Sequence, residues 1–176
     1  MGVILIRPWS WAFGVAALGS AAPLGAELNV PIATRVVSFV QPGPSGIVTA
    51  AIVFEPGNGA SEAEANAIER AIGAGITAGR ATIRVRRVPI GAIGALSGYR
   101  VAFVTAGLRS EHSTIAAAAA KSSVLTISSD PACVQSGRCV VGVTSAPKTQ
   151  ITINRAAARA TNVRFGSAFL MLVKEI

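Results

Sequence analysis

Aromatic residues make up only 5% of the chain, histidine occurs once, cysteine twice, and eight acidic residues face sixteen lysines and arginines. Each shortage removes a class of function. So few rings leave little material for a carbohydrate groove lined with stacking side chains. Two cysteines and the lone His112 fall short of the roughly four ligands of a structural zinc site, so no metal or cofactor is expected. Before Glu175, only Glu62 and Glu64 stand at close spacing, and a helix start explains that pair, so no carboxylate pair is set up for acid–base chemistry. The run RSEHST holds a serine, a histidine and an acid, but neighbours in one helical turn point in different directions and cannot converge on one atom. The chain is therefore not expected to be an enzyme.

Also missing is a comfortable membrane span of about 20 strongly apolar residues. The uncharged run PWSWAFGVAALGSAAPLGA is rich in glycine and alanine, ends in small residues, follows the single charge Arg7 and leads into no stop-transfer pattern. Met1–Ala26 reads as a secretory signal peptide cut after Ala26. The remainder, 27–176, has the length of one domain. Its formal charge contributes most of the +8 of the whole chain. An exported protein does not ordinarily meet nucleic acid, so these cations serve an acidic protein face, anionic headgroups or cell-wall polymer, or simply keep the surface solvated.

Several elements follow from pattern. Asn29 caps an amphipathic helix within 28–40 that carries Pro31 in its first turn and ends at Gln41-Pro42-Gly43-Pro44. Ile47–Phe54 is almost without polar residues, as a strand covered on both faces should be. The loop 55–61 contains glycines but lacks the lysine of a phosphate loop, so it is read as a connection. Ser61 and Glu64 form a capping box, followed by the stripe Ala65, Ile68, Ile72 and Ile76. In Ala81–Val88, Ile83 and Val85 alternate with Arg84 and Arg86, which gives one buried and one cationic face. Such a strand belongs at a sheet edge, where its arginines guard against stray pairing or orient an acidic partner. Tyr99–Thr105 and Val124–Ile127 are further buried strands. Between them Ser110 caps a helix running to Lys121, with His112 exposed in its first turn.

Cys133 and Cys139 flank the polar loop VQSGR, a spacing that suits a disulfide-closed loop between two antiparallel strands in an exported protein. The expected fold is a three-layer α/β sandwich. Its mixed sheet is mostly parallel and ends in a C-terminal antiparallel hairpin, Cys139–Val143 with Gln150–Ile153, tied by that disulfide.

In VLTIS, the cysteine segment, ITINRAAARATNV, the final apolar stretch AFLMLVKEI and the early ATRVVSFVQP, the chain resembles the YfiR-like family of small periplasmic proteins. One cysteine pair stands where better-known members have two. The resemblance implies a regulator without a cofactor. Its partner would be the outer-facing sensory domain of an inner-membrane signalling protein, a diguanylate cyclase that makes cyclic-di-GMP. A second copy of the chain is a further partner to consider. Candidate partner-binding residues are Arg84, Arg86, Arg87, Phe169, Met171 and Leu172, because 169–173 are contiguous apolar residues of a last helix and cannot all face one core. The alternative is a periplasmic binder of a small ligand or cell-wall fragment, with Asn58 and Ser128 at strand ends as its polar candidates.

Overall fold

The computed structural model describes residues 27–145 and 148–176. The expected signal peptide, 1–26, lies outside the described residues. Helix α1 (Val30–Val37) opens the chain; Asn29 Oδ1 accepts from Ile32 N–H and Pro31 lies in the first turn, as the sequence indicates. Short β1 (Val40–Gln41) follows, then the ten-residue β2 (Ser45–Phe54). On β2, Ala50 and Ile52 join one apolar cluster while Ala51 and Val53 join another on the opposite face. Both faces of the sheet are therefore covered, which makes the fold a three-layer sandwich.

Helix α2 (Gly59–Ile72) packs on the first face. Its cap differs from the expected one: Asn58 is the N-cap and accepts from Ser61 N–H, so Ser61 sits one turn too late to cap. The helix ends at Gly73, whose φ of 53° suits glycine best. Ile76 therefore leaves the helical stripe and starts β3 (Ile76–Ala78). The long β4 (Arg80–Pro89) pairs in parallel with β2 over its full length and antiparallel with β3 only from Ala81 to Ile83. The arginine strand is thus second from the edge, with three residues of β3 outside it.

A 3-10 run, Ile90–Gly98, leads to β5 (Val101–Val104). After a 3-10 turn at Arg109–Glu111 comes α3 (His112–Ser122), which has no side-chain N-cap, so Ser110 does not fill the role expected of it. Strand β6 (Leu125–Ser128) is followed by α4 (Pro131–Gln135) and β7 (Val141–Thr144). Cys133 lies in α4 and is joined to Cys139, and both are buried among Leu108, Ile115 and Val134 on the second face. The loop is closed as expected, but β6 and β7 on either side of it run parallel, not antiparallel. Asp130 and Pro131 nucleate a helix there, with Asp130 as N-cap and Pro131 at its start.

Strand β8 (Gln150–Ile153) completes the antiparallel hairpin with β7. Asn154 caps α5 (Arg155–Ala160), and β9 (Arg164–Phe165) pairs with β1 to form a separate two-stranded ribbon. Helix α6 (Ser167–Leu170) is a single turn, and β10 (Lys174–Glu175) pairs in parallel with β8. The main sheet has the order β10-β8-β7-β6-β5-β2-β4-β3. The final helix is thus shorter than the contiguous run 169–173 suggests. The terminal residues gain backbone bonds instead: Ile176 N–H donates to Ile153 O, and Arg155 N–H donates to Ile176 O.

Candidate interaction surface

In a sheet of this topology the connections from β2 and β5 leave in opposite directions, and the carboxyl ends of such neighbours form the usual ligand crevice. Here that crevice is filled from within. Asn58 Nδ2 donates to Glu55 Oε2 at 2.9 Å and to Gly107 O at 3.3 Å. Ser61 and Thr105 hydroxyls meet at 2.7 Å, and Thr105 also donates to Val53 O. Glu64 is buried on α2 and accepts from Leu28 N–H at 3.0 Å and from Ala106 N–H. Burial raises its carboxyl pKa above the ordinary 4.5, and the hydrogen bonds offset only part of that rise.

The neighbouring strand end is also closed. Ser128 Oγ donates to Val104 O and accepts from Asp130 N–H. Asp130 caps α4 through Ala132 N–H and receives Arg109 Nε at 2.9 Å. Burial pushes the Asp130 pKa up, but the Arg109 guanidinium and the Ala132 N–H more than reverse it, leaving the pKa below 3.8. His112 is buried rather than exposed as expected, because α3 begins with its side chain turned into the fold. Its Nε2 has no hydrogen-bond partner, and desolvation holds its pKa below 6.5 against the pull of Asp130. Among the described residues no group of three or more His, Cys, Asp or Glu side chains is placed to hold a metal. Asn58 and Ser128, the candidate ligand residues, are structural partners in this arrangement.

Open surface lies at the other end of the strands. A cleft of about 650 Å³ is bounded by the first residues of β2, by Arg100 before β5, and by Ser123 and Asn162. Beside it is an apolar groove of about 360 Å³ lined by Phe39, Val40, Ala168, Phe169 and Leu172. The groove is built by the β1–β9 ribbon, which brings Val40 opposite Phe165. Phe39 then stacks on Phe169 with ring centroids 4.3 Å apart and planes 6° from parallel, and Phe165 tilts against Phe169 at 5.6 Å.

At Gly166 a Cβ would come within 3.0 Å of Gln41 Nε2, the end of an exposed and flexible side chain. Phe169 is the buried floor at 5% exposure, whereas Met171 and Leu172 stand out at 86% and 83%. Of the contiguous apolar residues, then, Phe169 serves the core and 171–172 serve the surface. Phe39 and Ile47, which the sequence reading did not single out, are further exposed apolar residues of the groove and the cleft. Arg84 and Arg86 project elsewhere, on β4, and are exposed. Arg87 points to the opposite face, where it pairs with Glu69, donates to Asn66 and lies 5.6 Å over the Phe54 ring.

The polar side chains at the carboxyl ends of the strands are engaged with one another, and the exposed apolar groove lies at the opposite, amino end of the sheet. The YfiR/HmsC-like family matches residues 57–174, and the chain belongs to that family. Membership supports a regulatory role in the periplasm. No helix among the described residues is long and apolar enough to cross a membrane.

Three solved structures share the fold. A conserved domain protein from Vibrio cholerae is 14% identical with a TM-score of 0.58, over 83% of this chain and 58% of that one. An ABC domain in complex with L-Trp from Streptococcus pneumonia is 12% identical, TM-score 0.56, over 81% and 58%. The ligand-free, open form of a substrate-binding protein with adhesive properties from Clostridium difficile is 9% identical, TM-score 0.61, over 84% and 58%. This chain therefore spans little more than half the length of each. No curated protein matches the sequence.

Proposed function

We propose that this protein is a periplasmic regulator that binds the sensory domain of an inner-membrane diguanylate cyclase and restrains cyclic-di-GMP synthesis. The observation that carries the reading is the pair Met171 and Leu172, exposed at 86% and 83% beside the Phe39–Phe169 groove in a member of the YfiR/HmsC-like family. A regulator acts by binding one state of its partner more tightly than the other, and tenfold suppression needs about 1.4 kcal/mol of such preference. Burying one leucine-sized side chain contributes roughly 1.5–3 kcal/mol. Leu172 alone, covered in only one state of the sensor, is enough.

Deleting the gene should raise cyclic-di-GMP in the source cells, and Leu172→Asp or Met171→Asp should raise it similarly while the purified variants melt as the parent does. Unaltered nucleotide levels in the deletion strain, at rest and under envelope stress, would reject cyclase restraint. The second reading is a small-ligand or cell-wall-fragment binder, and the 650 Å³ cleft with Arg100 at its wall supports it. A thermal-shift screen with wall fragments separates the two, since only the second predicts a rise in melting temperature.

A further inference from the structure

We infer that the outer edge of β4, from Arg84 to Val88, is a second docking site that takes an extended acidic segment of a partner protein by strand addition. The inference does not rest on the apolar groove or on the cyclase reading. It begins with an incomplete pairing. On its inner side β4 is matched with β2 from Arg80 to Pro89, but on its outer side β3 covers only Ala81, Thr82 and Ile83. Ahead of β3 the chain lies against this edge at Gly75, where a Cβ would come within 2.9 Å of Thr82 Cγ2 and 3.6 Å of Arg84 Cγ, and Gly75 N–H donates back to Ile72 O rather than to β4. Beyond Ile83 no described strand pairs with that side. Alternate backbone N–H and C=O groups of a five-residue stretch, held straight by β2, are left facing outward, and such an edge is a template for another strand.

Charge selects the occupant. Arg84 and Arg86 are two residues apart, so they lie on one face of the sheet. Both are exposed, and neither takes part in an ion pair among the described residues. Arg87 is different, since Glu69 and Asn66 already engage it on the other face. A second copy of this chain is a poor occupant. An antiparallel register that keeps the faces of the two sheets aligned sets arginines of one copy against Arg84, Arg86 or Val88 of the other, and like charges across a strand pair repel. A segment with Glu or Asp at alternate positions places a carboxylate against each arginine while its backbone completes the ladder. Arg84 and Arg86 thus both exclude self-pairing and admit an acidic strand.

The test uses the intact protein and a labelled, end-capped octapeptide of alternating glutamate and threonine, followed by fluorescence anisotropy. Saturable binding is expected, weakening as salt rises. Arg84→Glu with Arg86→Glu should lower the affinity at least about tenfold, since both cross-strand pairs change sign, while Arg84→Lys with Arg86→Lys should keep most of it. Circular dichroism of each variant reports whether it has folded. Backbone pairing is tested by two N-methylated peptides, one blocked at the odd residues and one at the even. Strand addition requires that one set abolish binding and the other spare it, because only alternate N–H groups face β4. Equal binding of both methylated peptides, unchanged affinity in the charge-reversed variant, or no binding of the parent peptide at low salt would each overturn the inference.

Discussion

Replacing Glu64 probes the polar centre of the fold with a calculable cost. Its carboxylate joins three segments: α2, where it resides, the residues before α1 through Leu28 N–H, and the end of β5 through Ala106 N–H. Glu64→Ala leaves both donors without a partner. A buried donor so orphaned costs about 1–3 kcal/mol, so the variant should lose roughly 2–6 kcal/mol, toward the lower figure if water reaches Ala106. That is a large part of the 5–15 kcal/mol typical of a domain. Glu64→Gln provides a folded comparison, since its single carbonyl oxygen satisfies one donor while its NH₂ turns toward the other, at about 1–3 kcal/mol.

Urea denaturation of the three proteins from pH 4 to 8 reads both effects. The folded pKa of Glu64 lies above 4.5, so the folded state holds that proton more tightly than the unfolded chain does. Its contribution is full below pH 4.5 and declines as the pH rises through the folded value. The stability advantage of the parent over Glu64→Gln should therefore shrink with rising pH. A loss below about 1 kcal/mol for Glu64→Ala, or an advantage that grows with pH, would refute this account of the residue.

Reducing the Cys133–Cys139 bond, which closes a loop of six-residue separation, should lower stability on the order of 2 kcal/mol by the chain-entropy estimate. Two free thiols titrated on the native, oxidised protein would contradict it. His112, whose folded pKa lies below 6.5, should make the protein lose stability as the pH falls from 6.5 through that value, because the unfolded chain takes up the proton first. His112→Gln should flatten that limb of the curve, as monitored by melting temperature, and an unchanged slope would assign the acid sensitivity elsewhere.

The central strands and the cap of α1 are the legible part of the chain. Asn29 announces α1 because its side chain answers an orphan N–H, and Ile47–Phe54 announces a buried strand because Thr49 is its only polar residue. Ser61 and Glu64 misled for a physical reason: the capping-box spacing is present, but Asn58 three residues earlier is an equally good cap. Glu64 is then free to reach Leu28 and Ala106, partners 36 and 42 residues away that no local spacing reveals. His112 reads as exposed because it falls in the first turn of a helix, a position that is usually solvated, whereas in the fold it is buried at the start of α3. At the C-terminus, the run Phe169–Val173 reads as a helix, but only Phe169 and Leu170 lie in α6; the chain turns at 171–173 and pairs with β8 at Lys174 and Glu175.

The position of the open surface follows from which end of the sheet the polar side chains occupy. Open α/β sheets ordinarily bind ligands outside the carboxyl ends of their strands, at the crevice where connections diverge. In this chain Asn58, Ser61, Glu64 and Thr105 spend their hydrogen-bonding capacity on one another and on the backbone across that crevice. Opening the crevice would expose buried donors at the cost just estimated for Glu64. The amino ends are under no such constraint. There the β1–β9 ribbon and the one-turn α6 present Phe39, Met171 and Leu172 to solvent. The two ends of the sheet thus differ in chemistry: polar side chains bonded to one another at the carboxyl ends, and exposed apolar groups, Phe39, Met171 and Leu172, at the amino ends.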